Sequence, residues 1–251
     1  MISYTTENGI GILTLNRPEK RNALNPQMIQ SIVQKLDEIM QDDSTGVLIL
    51  TGAGKSFCAG ADLSFLKELQ NYSIKENEKD SENLAKMFLA FYNFPKPVIA
   101  AVTGSAIAGG CGLATVCDFV IANPSESKFG YSEVKIGFVP AIVSVFLIRK
   151  TGFGKAKKLL LTGDIIDGKT AYDFGLVDYL AENPLEEAKI LAVRLLKNSK
   201  YSVETTKKMI HSISDMNVGA AVDYCINLNT ISRNSEDFIN GINNFFNNKR
   251  H

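Results

Sequence analysis

The sequence predicts an α/β protein: a strand-rich core of stacked βαβ turns followed by a helical C-terminal region. Three observations predict it. Short apolar runs such as VLILTG at 47–52 and PKPVIAAVTG have the length and flanking residues of buried strands. Segments with helical apolar spacing lie between them, so strand, helix and strand recur roughly every fifty residues without a repeated motif. From about residue 152 onward strand patterns vanish, and GKAKKLLLTG, NPLEEAKILAVRLLKN, SVETTKKMIHSI, VGAAVDYCINLNTIS and SEDFINGINNFF all favour helix.

Element by element, GIGILTLN carries Ile10, Ile12, Leu13 and Leu15 and reads as a strand. RPEKRNALN follows with turn chemistry and a basic cluster. Asn25 before Pro26 is a helix-start signal, and Met28, Ile29, Ile32, Val33, Leu36, Ile39 and Met40 then share one stripe at helical spacing. That helix leads into strand 47–52, closing a βαβ-like unit whose fully apolar strand requires cover on both faces. GAGKSFCAGADL is not a phosphate loop, because GxxxxGKS would need glycine at 49 and the chain has Ile49. Residues 70–83, QNYSIKENEKDSEN, are polar and charged, either a mobile loop or the exposed end of a helix. LAKMFLAFYNF reads as helix, PKPVIAAVTG as a buried strand and GLATVCD as a small-residue helix leading to FVIANP. KFGYSEVKIGFVP adds a short strand and a loop.

Composition then removes several function classes. Lys plus Arg and Asp plus Glu are 27 each, so no global field attracts nucleic acid or an anionic membrane. The N-terminal stretch lacks a secretory pattern and no apolar run approaches the ~20 residues of a membrane span, so a cytoplasmic location is expected. Cys58, Cys111, Cys117 and Cys225 form no CxxC pair and read as free, buried thiols. With only His211 and His251, a histidine-rich metal site cannot be built, no metal is expected, and a Ser-His-Asp hydrolase would have to rely on His211.

In AIAGGCGLATVCD, residues 106–118, Gly109, Gly110 and Gly112 crowd together just before helix-like residues. Each interior helical glycine costs roughly 1 kcal/mol against alanine. Two explanations remain open at this point: close packing of a buried helix start, or a turn whose bare N–H groups point at something negative.

Taken together, LNRPEKRNAL, VLILTGAGKSFCAGADL, KPVIAAVTGSAIAGGCGLATVCDFVIA, KFGYSEVKIGFVP, LLLTGDIIDGKTAYDFGLVD and SEDFINGINNFFNNKR resemble the crotonase (enoyl-CoA hydratase/isomerase) superfamily, in order and over nearly the whole chain. The resemblance implies a crotonase-like spiral core of repeated ββα units forming two roughly perpendicular sheets over 1–195. It also implies a helical oligomerisation region over 196–251, and a homotrimer or a homohexamer made of two trimers. It further implies that two backbone N–H groups hold a thioester oxygen as negative charge builds there; matched residue by residue, they belong to Ala61 and Gly109. Physics supports that assignment, because an enolate oxygen must be held more strongly than the starting carbonyl. Fixed amides in a dry pocket do this, each contributing on the order of 10²–10³ in rate.

Family hydratases use two glutamates, one of which matches Glu133 in FGYSEVKIG. The other would stand three residues after Gly109, where this chain has Gly112. Its apolar neighbours Val134, Ile136, Phe138 and Val139 are expected to raise the Glu133 pKa and let it both give and take a proton. Glycine at 112 together with GFVPAIVSVF resembles 3-methylglutaconyl-CoA hydratases and dehydratases of related 3-hydroxy-3-methylglutaryl thioesters, so a short branched substrate is one expectation. A Δ3-Δ2 enoyl-CoA isomerase working with Glu133 alone is another, and a non-catalytic binding protein of the same fold is a third, from a different class. If only the absent carboxyl limits simple hydration, Gly112→Glu should raise turnover of crotonyl-CoA.

The acyl carrier implied is CoA, as part of the substrate and with no separate cofactor, or a carrier protein's phosphopantetheine arm. Lys20 and Arg21 match positions near the CoA phosphates, which call for cations, and Ala23 of the same segment is a further CoA-binding candidate. Ala59, Gly60, Asp62 and Leu63 follow the oxyanion strand, and Gly110 and Gly112 lie beside the other donor. Lys249 and Arg250 are candidates to reach a neighbouring subunit's ligand. Nucleic acid and membrane are not expected partners.

Overall fold

In the computed structural model, which describes residues 1–248, β1 (Ile2–Glu7) and β2 (Ile10–Leu15) form an antiparallel hairpin. Its turn, Asn8-Gly9, takes positive φ at both residues, as a two-residue type I′ turn requires. β1 extends the sheet beyond the strands that the apolar runs mark, and its mostly exposed sequence ISYTTE suits an edge.

The helix α1 (Pro26–Gln41) then carries the chain across to β3 (Val47–Gly52), which lies parallel to β2 with Ile10 opposite Val47 and Leu15 opposite Gly52. The Asn25 side chain accepts from the Met28 N–H at 2.9 Å and so caps α1. Met28, Ile29, Ile32, Leu36 and Ile39 are buried as the stripe predicts, while Met40 at its margin is exposed.

Three successive turns of the chain now repeat one plan. β3 is followed by β4 (Ser56–Cys58), β5 (Val98–Val102) by β6 (Ser105–Ile107), and β7 (Phe119–Ala122) by β8 (Lys128–Gly130). The first member of each pair joins a six-stranded sheet and the second a four-stranded one. After β4 come α2 (Leu63–Leu69) and α3 (Ile74–Tyr92); after β6 comes α4 (Gly109–Val116). After β8 comes a 3-10 turn at Ser132–Ile136, then α5 (Ala141–Thr151) and α6 (Phe153–Thr162). Residues 70–83 are mostly the exposed start of α3, which Ser73 and Glu76 fix in a reciprocal capping box.

Strands do continue past residue 152, contrary to expectation. β9 (Ile165–Asp167) pairs with β8, and after α7 (Gly168–Asp173), β10 (Tyr179–Leu180) completes the large sheet beside β7. With three and two residues, neither is long enough to show a period-two pattern.

The large sheet is covered on both faces, as its apolar strands require. Leu48, Leu50, Val98, Ala100 and Val102 face the main core with α1, α3 and α4. Val47, Ile49, Ile99 and Ala101 pack instead on Ala188, Leu191 and Ala192 of α8 (Pro184–Leu196). The last helices, α9 (Lys200–Ile213), α10 (Val218–Ser232) and α11 (Glu236–Asn248), differ: neither α9 nor α10 has a buried residue, and α11 is exposed from Glu236 to residue 247. Among the described residues no helix is long and apolar enough to cross a membrane.

Candidate active site

The small sheet decides where chemistry can collect. β4, β6 and β8 are adjacent and parallel in it, with Cys58 opposite Ala106 and Ile107 opposite Gly130. Ala61 lies three residues beyond the end of β4, Gly109 two beyond β6 and Glu133 three beyond β8. Parallel neighbours stand about 4.8 Å apart, so the ends of β4 and β8, on either side of β6, lie roughly 10 Å from each other, and the three residues follow at that end of the sheet. This is the end, past the carboxyl termini of parallel strands, where crevices form.

Backbone pairing sets the direction of the Ala61 amide. Leu24 donates to the Gly60 carbonyl at 2.7 Å and accepts from the Asp62 N–H at 2.8 Å. In such a parallel bridge the residue between, Ala61, turns its own N–H and carbonyl to the opposite side. Ala61 is exposed. Gly109 is the first residue of α4, so its N–H is one of the donors that a helix leaves without an internal acceptor.

The two segments are in contact. A Cβ on Gly60 would stand 2.9 Å from both the Ala108 Cβ and the Ile107 carbonyl and 3.5 Å from the Gly109 nitrogen; one on Gly110 would meet the Cys58 carbonyl oxygen at 2.1 Å. Ala108 holds φ 51°, ψ −124°, a corner that type II′ turns ask of glycine, and its N–H donates to the Gly130 carbonyl at 2.8 Å. The geometry carries the first of the two explanations: Gly110 and Gly60 serve close approach, and that approach brings the Gly109 nitrogen beside the CAGAD loop.

Glu133 is 8% exposed, and its Oε2 has no hydrogen-bond partner among the described residues. Burial pushes its carboxyl above the ordinary glutamate range. Two residues earlier Tyr131, fully buried, shares a 2.8 Å hydrogen bond with Thr115 of α4, which fixes the glutamate's turn against that helix. Gly112 leaves no vacancy: a Cβ there would lie 2.4 Å from Val143 Cγ1 of α5 and 3.1 Å from the Phe88 ring of α3. The expected gain from Gly112→Glu therefore has no room to occur.

The other candidates divide. Lys20, Arg21 and Leu63 are exposed, and Ala59 donates to the Arg21 carbonyl at 3.0 Å, which brings the basic turn beside the loop. Ala23 is buried, its carbonyl taken by Arg17 Nη1 at 2.8 Å. Asp62 is 7% exposed, and its side chain is occupied: Oδ2 accepts from Arg17 Nη2 at 3.0 Å and Oδ1 from the Ser64 N–H at 3.0 Å. Burial raises its carboxyl, but the Ser64 N–H and the Arg17 guanidinium outweigh that and hold it below the usual range. Lys249 and Arg250 lie outside the described residues.

Arg17, Asn22 and Ala108 were not marked by the sequence. Asn22, fully buried at φ 55°, donates to the carbonyls of Ala53 and Ser56 and accepts from the Arg17 N–H, so RPEKRNAL is a clip on the CAGAD segment. The turn sequence RPEKRNAL was the available signal, but nothing in it pairs Arg17 with Asp62. Burial pushes the Cys58 and Cys111 thiols to about 12, leaving them protonated beside the site. A cavity of about 1050 Å³ opens elsewhere, under α9 and lined by Tyr92, Phe146 and His211. Its cations Lys207, Arg149 and Lys150 are already paired with Asp118, Asp215 and Asp178, and its lining contains none of Ala61, Gly109 and Glu133.

A sequence profile described as enoyl-CoA hydratase/isomerase matches residues 5–251. A Thermus thermophilus relative is 41% identical over 239 residues, 94% of each chain. The crotonyl-CoA hydratase of Syntrophomonas wolfei is 40% identical over 205 residues, 80% of this chain and 77% of its own. A crystal structure of an enoyl-CoA hydratase from Shewanella pealeana superposes with a TM-score of 0.95 at 29% identity, covering 98% of this chain and 93% of that one. With the ββα spiral, the helical end region and nearly the full sequence all matching, this chain belongs to the enoyl-CoA hydratase/isomerase family.

Proposed function

We propose that the protein is an acyl-thioester hydratase or dehydratase, adding water across the α,β double bond of an enoyl-CoA or removing it from the 3-hydroxy product. The observation that carries this reading is the buried, unpartnered Glu133 Oε2 beyond the same strand ends as the Ala61 and Gly109 amides. Ionised Glu133 takes a proton from water as the water oxygen bonds to Cβ. The electron pair of the double bond moves onto the thioester oxygen, and the Ala61 and Gly109 N–H groups hold the enolate. Protonated Glu133 then returns its proton to Cα as the carbonyl reforms, so one water is added and the carboxylate is restored. A raised pKa suits a group that must do both tasks near neutral pH.

Val143 and Phe88 make the α4 wall at Gly112 hydrocarbon, which favours a short acyl group carrying an apolar branch such as a 3-methyl. The same closed wall supports a second reading, a Δ3-Δ2 isomerase, because moving a proton between Cα and Cγ needs one carboxyl and no water. The exposed Lys20 and Arg21 turn fits the CoA phosphates. The apolar faces of α10 and α11, with Val222, Ile226, Ile239 and Ile242 all at least 42% exposed, fit burial in a homotrimer or a pair of trimers.

Incubation with crotonyl-CoA, a 3-methyl-branched enoyl-CoA and a 3-enoyl-CoA in oxygen-labelled water tests the reading. Hydratase action puts the label on C3 of the product; an isomerase moves the double bond without label. Inertness towards all three esters contradicts both.

A further inference from the structure

We infer that Arg17 is a positioning residue for the Ala61 N–H, acting through a guanidinium that spans both sides of the Leu24–Ala61 pairing; this rests on the role given to Ala61 under the proposed function. Arg17 Nη1 donates to the Ala23 carbonyl at 2.8 Å, one residue before Leu24, and Nη2 to Asp62 Oδ2 at 3.0 Å, one residue after Ala61. Both charged side chains are largely buried, at 14% and 10% exposed. Ala61 is exposed and pairs with Leu24 through its two neighbours, so the plane of its amide follows wherever residues 60 and 62 are held.

Arg17 is itself anchored. Its N–H donates to Asn22 Oδ1 at 2.8 Å, and Asn22 Nδ2 reaches the Ala53 and Ser56 carbonyls at 2.9 and 2.8 Å, at the end of β3 and the start of β4. One frame therefore fixes the strand, the clip and the loop together. A lysine would keep the charge but not the fork, since an ammonium on a flexible stem is a point donor and cannot hold two separate acceptors in the same geometry. An oxyanion donor works only at the right place, so a small rotation of the 60–62 segment weakens it without emptying the binding site.

The test uses the full chain with Arg17→Gln, Arg17→Lys and Asp62→Asn, where asparagine can still accept from the Ser64 N–H. The infrared C=O stretch of a bound carbon-labelled enoyl-CoA reports hydrogen bonding to the thioester oxygen, and kcat, KM and Tm are measured alongside. In the unaltered protein the stretch falls relative to free thioester. Arg17→Gln and Asp62→Asn should lose most of that downshift and about 10–100-fold in kcat, short of the ~10²–10³ for deleting a donor outright, with KM within about threefold. Arg17→Lys should fall between. A lowered Tm with the carbonyl shift and kcat intact overturns the inference, because that is what a merely structural ion pair would give. Absence of the downshift and of turnover in the unaltered protein overturns the proposed function, and this inference with it. If Arg17→Gln does not fold, Asp62→Asn and Arg17→Lys decide by the same readouts.

Discussion

Glu133 shows how a single side chain is prepared by its surroundings. Its turn is bound to α4 through Tyr131 and Thr115, and one carboxylate oxygen is buried without a partner. Burial disfavours the ionised form by more than the backbone N–H of Glu133 itself favours it, which is why the pKa rises. Replacing Glu133 by Gln keeps the shape and removes the proton carrier, so kcat should fall by about 10²–10⁴ while CoA affinity is retained. The same substitution has a stability signature. A carboxyl whose pKa is raised in the folded chain contributes stability below its unfolded pKa and loses it as pH rises through the folded value. Glu133→Gln should therefore match the parent in Tm at acid pH and exceed it increasingly as pH rises through the folded Glu133 pKa, read by calorimetry across pH. In the parent, hydration should decline as pH falls through that raised value, because the base must be ionised to take a proton from water; kcat/KM against pH measures it.

At the scale of elements, the site is a consequence of stacking the same ββα turn three times. Each turn ends its small-sheet strand at nearly the same level, so the segments that carry residues 61, 109 and 133, far apart in sequence, leave the sheet at one end. The fit between turns is close. Gly110→Ala would drive a Cβ to 2.1 Å from the Cys58 carbonyl oxygen, a backbone atom that cannot step aside, and should destabilise by about 1–3 kcal/mol or more in chemical denaturation. Gly112→Glu should likewise lower Tm and give no gain with crotonyl-CoA, because Val143 and Phe88 already fill the space. Opening the wall with Val143→Ala should broaden the accepted acyl groups, seen as a changed ratio of kcat/KM for branched and unbranched esters.

Much of this was legible at the level of elements. The stripe of α1, its Asn25-Pro26 start and the apolar runs at 47–52 and 98–102 announce themselves because each is long enough to show its period. β9 and β10 do not, with so few residues. Nor does Ala108: nothing in an alanine tells that its neighbours hold it at φ 51°. Asp62 looked like a ligand contact from its place in CAGAD, whereas its charge is spent on Arg17, a pairing across 45 residues that no local pattern reveals.

At the scale of the whole molecule, α10 leaves much apolar surface exposed. Val218, Ile226 and Ile231 of α10 are 82%, 57% and 63% exposed, more apolar surface than a lone chain leaves bare without reason. In solution the protein should have three or six times the chain mass by sedimentation equilibrium, and Ile226→Asp, which places a charge in that surface, should dissociate it while the core keeps its circular dichroism.

The central claim is that the amides of Ala61 and Gly109 jointly hold a thioester oxygen with Glu133 beside the reacting carbons. A crystal structure with an unreactive acyl-CoA analogue tests it most directly. The account predicts the thioester oxygen at about 3 Å from both nitrogens, with the Glu133 carboxyl facing the Cα–Cβ bond. A thioester oxygen bound by any other pair of groups, or a Glu133 carboxyl turned away from the acyl chain, would contradict it.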